Sequence, residues 1–155
     1  MITLYTVITR PRTYEEAVKD CEALDLQLTR LLTVEHTNGL IEALKNKNLE
    51  GQFYIGLSRN ETMPEFFQWV DGQSIHGDGV YSGWENGHPT LDASCGYIET
   101  QMATKGKGDS RQGRWKSAPC EEQKNYVCGK TYHAVPDCPL GLFTKTQIAT
   151  VENND

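Results

Sequence analysis

The sequence predicts an α+β fold in which two helices precede a set of short strands. Three observations carry this reading. The N-terminal third holds two stretches with apolar residues at helical spacing, the first opened by a capping box. After Gly51 the pattern changes to short apolar runs separated by glycine-rich turns, which read as strands and loops. The length, 155 residues, is most simply one domain with one core. Helices first and strands after point to segregated layers.

Leu4-Tyr5-Thr6-Val7-Ile8 is β-branched and aromatic and reads as a first strand, ended by Pro11. In Thr13-Tyr14-Glu15-Glu16 the threonine hydroxyl can take the third helical amide while Glu16 reaches back. Tyr14, Ala17, Val18, Cys21 and Leu24 follow at helical spacing, which puts Cys21 on the buried face. A second helix starts near Thr33, presents Leu40, Ile41 and Leu44, and exits at Asn48 to Gly51. Gly39 inside it costs about 1 kcal/mol. The runs at 53–57, 66–70, 95–98 and 126–128 are the strand candidates. Residues 131–155 carry few large apolar side chains and two prolines and read as a linker or tail.

Composition excludes several function classes. The chain has 15 Lys and Arg against 21 Asp and Glu, a net charge of −6, which argues against general nucleic-acid binding through phosphate neutralisation. No stretch approaches the ~20 apolar residues of a membrane span. The opening residues, Met1 to Val7, lack the basic and apolar regions of a secretory signal. Enzyme chemistry needs a nucleophile beside a base or an oriented carboxylate pair. His36, His76, His88 and His133 are scattered, and no G-x-S-x-G, H-E-x-x-H or phosphate loop occurs. A zinc site from His76 and His88 with Asp78 and Asp92 is weighed against plain solvent contact, and solvent contact is the commoner case.

The cysteines are Cys21, Cys95, Cys120, Cys128 and Cys138, and no pair has the two-residue gap of a zinc knuckle or redox motif. Five reduced thiols in a cytosolic protein and two internal bridges in an extracellular one both fit that count. Asn60-Glu61-Thr62 is an N-glycosylation acceptor pattern and leans to the second.

Five motifs in order then carry a resemblance. Tyr54-Ile55-Gly56-Leu57 resembles the W-I-G-L core of C-type lectin-like domains, and the strand and capped helix with Cys21 resemble that domain's start. Phe67-Gln68-Trp69-Val70-Asp71-Gly72 is similar to its aromatic-x-W-x-D-G turn. Trp84-Glu85-Asn86-Gly87-His88-Pro89 matches the W-x-x-G-x-P approach to its ligand loop. Arg114-Trp115, Cys120 and Tyr126-Val127-Cys128 resemble its last two strands. The match runs from about Leu4 to Lys130, so a domain at 4–130 is followed by a linker, a tail or the start of a further extracellular module. Cys138-Pro139-Leu140-Gly141-Leu142-Phe143 is similar to the opening of such a module.

The resemblance implies a C-type lectin-like fold: two helices, antiparallel sheets, a long-loop region above them and two disulfides, Cys21–Cys128 and Cys95–Cys120. Each bridge would contribute roughly 3–5 kcal/mol. It implies an extracellular location, secreted or on an ectodomain, and makes Asn60 a glycan site. Trp69, Trp84, Tyr54 and Phe67 are then mostly core. In sugar-binding members calcium is held by side chains that map onto His88, Thr90, Ala93, Lys116 and Ser117, and all five depart from the oxygen-rich pattern. Lys116 would place an ammonium where the cation should stand. Asp92, one residue from the acid position, compensates only in part, so no cofactor is expected at that site.

Charge marks a second surface. From Asn60 to Glu99 there are seven acids and no Lys or Arg, while Thr100 to Pro119 carries five bases, Lys105, Lys107, Arg111, Arg114 and Lys116, and one acid. A charge run is often only a solvated loop. Beside the family's ligand face it could instead receive an acidic partner. The candidate ligand-binding residues are therefore Trp84, His88, Thr90, Asp92, Lys105, Lys107, Arg111, Arg114, Lys116 and Ser117. The expected function is recognition of a protein or other ligand without the family's calcium chemistry. A lectin with a non-standard sugar site and a structural spacer module are the alternatives.

Overall fold

The computed structural model describes residues 2–101, 114–132 and 146–151. The elements run β1 (Ile2–Arg12), α1 (Tyr14–Ala23), β2 (Gln27–Leu28), α2 (Val34–Asn46), β3 (Gly51–Arg59), β4 (Phe67–Trp69), β5 (Cys95–Thr100), β6 (Lys116–Ala118), β7 (Lys124–Tyr132) and β8 (Thr146–Val151). The strands order as β6-β5-β3-β7-β1-β8, with β2 on β7 and β4 on β3. The sheet is mixed rather than antiparallel throughout, because β3 pairs with β7 and β1 with β8 in parallel. β8 lies within the stretch that the sequence suggests is a linker or tail.

β1 and β7 pair antiparallel from Ile2 opposite Tyr132 to Ile8 opposite Tyr126. Pro11 does not end β1. The register shifts between Ile8 and Arg12, and proline fits such an irregularity because no ladder N–H is required of it there. Helix α1 carries both halves of its capping box, with Glu16 N–H donating to Thr13 Oγ1 at 3.3 Å and Thr13 N–H to Glu16 Oε1 at 3.1 Å. Ala17 and Cys21 are buried as their spacing predicts, but Leu24 is 51% exposed. It is the C-cap residue, one step past the last helical turn, and has left the buried stripe. Thr33 caps α2, whose Thr37, Leu40, Ile41 and Leu44 are buried.

β3 explains why its apolar run is continuous. Phe53, Ile55 and Leu57 pack with α2 and the aromatic residues Trp69 and Trp115, while Tyr54 packs with Ala17 and Cys21 of α1 on the opposite face. Side chains alternate along a strand, so a strand covered on both faces must be apolar at every position. Gly56 sits where a Cβ would lie 2.5 Å from the Leu28 carbonyl oxygen, and its own N–H donates to Thr29 O at 2.7 Å. Both bridges implied by the resemblance are present, Cys21–Cys128 and Cys95–Cys120. The first clamps α1 to β7; the second ties β5 to the residue after Pro119.

Candidate ligand-binding site

The long loop between β4 and β5 is anchored by an aromatic cluster. Trp115 is fully buried and meets Trp69, Tyr81 and Trp84 edge-on, with ring centroids 5.1, 5.1 and 5.8 Å away. Trp84 also stands edge-on to Phe67 at 4.8 Å. The polar tips are satisfied too: Trp115 Nε1–H and the Tyr81 hydroxyl each lie 3.2 Å from Thr37 Oγ1 on α2. Backbone bonds fix the rest, with Trp115 N–H donating to Gly83 O at 2.8 Å and Glu85 N–H to Trp115 O at 2.9 Å. Trp69 and Phe67 are core, as the resemblance implies, and Trp84 is half-buried against it.

Four of the sequence-derived candidates are brought together. His88 Nδ1 accepts from the Ser117 N–H at 3.1 Å and lies 3.2 Å from its hydroxyl. Because Nδ1 accepts an amide proton, the ring proton belongs on Nε2. Thr90 N–H donates to Ser117 Oγ at 2.9 Å, and the Thr90 hydroxyl donates to Asp92 Oδ1 at 2.8 Å. The peptide between His88 and Pro89 is cis. His88 Nδ1, the Ser117 hydroxyl and the Thr90 hydroxyl are thus taken up within the cluster.

Lys116 points elsewhere. Its Nζ lies 3.5 Å from Glu85 Oε2 and 3.5 Å from Glu99 Oε1. Register produces this arrangement: β5 and β6 place Lys116 opposite Tyr97, so Glu99 is the diagonal neighbour on the same face. Glu99 also accepts from Gln52 Nε2 at 2.7 Å. Burial pushes the Glu99 carboxyl up, but the Gln52 amide and the Lys116 ammonium outweigh it and hold it below its ordinary value. Burial likewise pulls Lys116 down, and Glu99 and Glu85 outweigh that and raise it. A calcium ion takes six to eight oxygens, several of them charged. The five positions that the resemblance maps to it carry an alanine, a ring nitrogen used by an amide, two hydroxyls and an ammonium, and no carboxylate.

Arg114 is exposed; Lys105, Lys107 and Arg111 lie outside the described residues. Among the described residues no group of three His, Cys, Asp or Glu is placed to hold a metal ion. His76 accepts the Phe67 N–H at 3.1 Å. The Asn60 Oδ1 accepts from Thr62 N–H, Thr62 hydroxyl and Met63 N–H at 2.9, 2.8 and 3.0 Å. Sequence reasoning missed Arg59, whose guanidinium reaches three carbonyls in two separate turns. Nothing in a lone arginine at a strand end reveals that. It also did not pair Lys116 with Glu85, in the loop between β4 and β5, or with Glu99, on β5 beside β6.

Residues 10–130 match the family model for the lectin C-type domain. The chain is 28% identical over 137 residues, 88% of its length, to the secretory phospholipase A2 receptor of Oryctolagus cuniculus, and spans 9% of that protein. The human receptor of the same name is 26% identical over 137 residues, of which the chain spans 8%. Lymphocyte antigen 75 of Mesocricetus auratus is 28% identical over 126 residues, with 6% of it spanned. Among solved structures, the mouse scavenger receptor C-type lectin carbohydrate-recognition domain superposes with a TM-score of 0.65 at 21% identity, covering 85% of this chain and 91% of that one. Human lithostathine gives a TM-score of 0.65 at 19% identity, covering 83% of each. At these identities the solved structures establish the fold alone.

Proposed function

This chain belongs to the lectin C-type domain family, and on that premise we propose that it is an extracellular recognition module whose long-loop face binds a protein ligand without calcium. The observation that carries the reading is Lys116, whose ammonium stands between Glu85 and Glu99 while His88, Thr90 and Ser117 close on one another. An internal cation and internal hydrogen bonds give that face a fixed shape with no metal. The relatives named as receptors for a secretory phospholipase A2 favour a protein over a glycan as ligand.

A ligand that does not bind the native state cannot raise its stability. The melting temperature should therefore move by less than about 1 °C between millimolar calcium and excess chelator, and titration calorimetry with calcium should give no saturable heat. A glycan array probed with and without chelator should show no calcium-dependent spot. A clear upward shift in melting temperature with calcium, or chelator-sensitive glycan binding, would overturn the proposal.

A further inference from the structure

One side chain ties a turn of the long loop to the turn between β3 and β4. Arg59, the last residue of β3, donates through Nη1 to Pro64 O at 2.7 Å and through Nη2 to Thr90 O at 2.8 Å and Ala93 O at 2.9 Å. Its Nε lies 3.3 Å from Ser94 Oγ, and the guanidinium stands 4.6 Å from the centre of the Phe67 ring. A guanidinium presents five donors in a rigid fork, which is what holding several carbonyls at once requires. Each turn is also closed from within. Asn60 N–H donates to Phe66 O at 2.8 Å and Phe66 N–H to Met63 O at 2.9 Å; Ala93 N–H donates to Thr90 O at 3.3 Å.

At the tips of these turns stand Met63, 49% exposed, and Leu91, 97% exposed. A single exposed apolar side chain is ordinary. These two differ because the backbone that carries them is already ordered, so binding does not have to meet that entropy cost. The border is acidic. Glu61 and Glu65 flank Met63, Asp92 follows Leu91, and none of the three has an ion pair among the described residues. The local cation, Arg59, is committed to carbonyls.

We propose that Met63 and Leu91 form a paired apolar anchor for a protein partner that offers an apolar pocket bordered by lysine or arginine. The inference rests on the recognition reading above and names the chemistry of the partner. A lipid surface is the other home for apolar loop tips, but an acidic border is repelled by anionic headgroups.

The test uses the full chain from a host that adds no N-glycans, which leaves Asn60 bare at the foot of the Met63 turn. Random peptides displayed on phage are selected on the immobilised protein, and the consensus peptide is synthesised for affinity measurement. Enriched sequences should combine aromatic or aliphatic residues with Lys or Arg. Leu91→Ser and Met63→Ser should each weaken the consensus peptide about tenfold, and Glu65→Lys with Asp92→Lys should weaken it further. The melting temperature should stay within about 2 °C, because exposed substitutions rarely change stability. Peptides without basic residues, equal binding by both serine variants, or Leu91-dependent sedimentation with phosphatidylserine vesicles would overturn the inference. Loss of binding on His88→Ala with no effect of Leu91→Ser would overturn it while leaving the recognition reading in place. Binding that maps off the long-loop face would overturn both.

Discussion

Replacing Thr37 by valine tests how the binding loop is fastened to the scaffold. The Thr37 side chain is 1% exposed on α2, and its oxygen receives the Trp115 indole N–H and the Tyr81 hydroxyl, each at 3.2 Å. Valine keeps the shape and removes the acceptor. Trp115 is fully buried, so its N–H is left without a partner at a cost of about 1–3 kcal/mol. Tyr81 is half-buried and its hydroxyl can turn toward water, so it adds less. The sum is about 2–3 kcal/mol, which for a domain of this size lowers the melting temperature by roughly 4–12 °C. Thermal unfolding followed by far-UV circular dichroism and by tryptophan emission measures this directly. Thr37→Ser retains the oxygen and loses only a methyl group, a cost of about 1 kcal/mol. The reasoning fails if Thr37→Val lies within 0.5 kcal/mol of the parent, or if Thr37→Ser is as damaging as Thr37→Val.

Lys116→Met leaves the Glu85 and Glu99 carboxylates without their cation and should cost about 2 kcal/mol at neutral pH, less than a fully buried pair because all three side chains keep some solvent. Glu99 titrates below its ordinary value when folded, so its contribution is complete above about pH 4.5 and is lost as pH falls further. The gap between parent and variant should therefore narrow on acidification, as denaturant melts at pH 7 and pH 3.5 would show. A gap that widened would exclude the assigned pairing. Lys116 is raised, so its contribution is complete below about pH 10.4 and fades only above that. Gly56→Ala drives a Cβ into the Leu28 carbonyl and should cost more than about 2 kcal/mol by forcing β2 off β3. A stable variant with unchanged amide protection at Thr29 and Gly56 would show that the backbone yields cheaply.

The sequence was most legible where one residue's role is decided by its immediate neighbours. Thr13 and Glu16 form their capping box three residues apart, and α2 starts at the threonine that its apolar spacing requires. Pro11 was misleading because the cost of a missing N–H depends on whether the partner strand asks for one, and the shift in register before Arg12 removes that demand. β8 was illegible for a similar reason. A short stretch that pairs in parallel with β1, far away in sequence, carries no local mark of its partner. At the site, the motif around Trp84 and Pro89 located the long loop, yet charge counting treated Lys116 as a base available to a ligand. Strand register brings Glu99 beside it, and the loop between β4 and β5 brings Glu85. Lys105, Lys107 and Arg111, the other half of that basic surface, lie outside the described residues.

The division between fixed and free groups follows from how polar burial is satisfied. A buried donor left without an acceptor costs more than a made hydrogen bond returns, so each satisfied group constrains its partner. Thr37 thereby fixes Trp115 and Tyr81, and Trp115 fixes Gly83 and Glu85 through the backbone. Arg59 does the same for the turns at Pro64 and Thr90. A substitution in these chains breaks a bond elsewhere, which restricts change to side chains that end a chain or stand outside it. The side chains of Met63, Leu91, Glu61 and Glu65 make none of the bonds that hold their turns. Their identity can change with little cost to stability, and that freedom is what allows one scaffold to be fitted to a partner by a few residues at its turn tips.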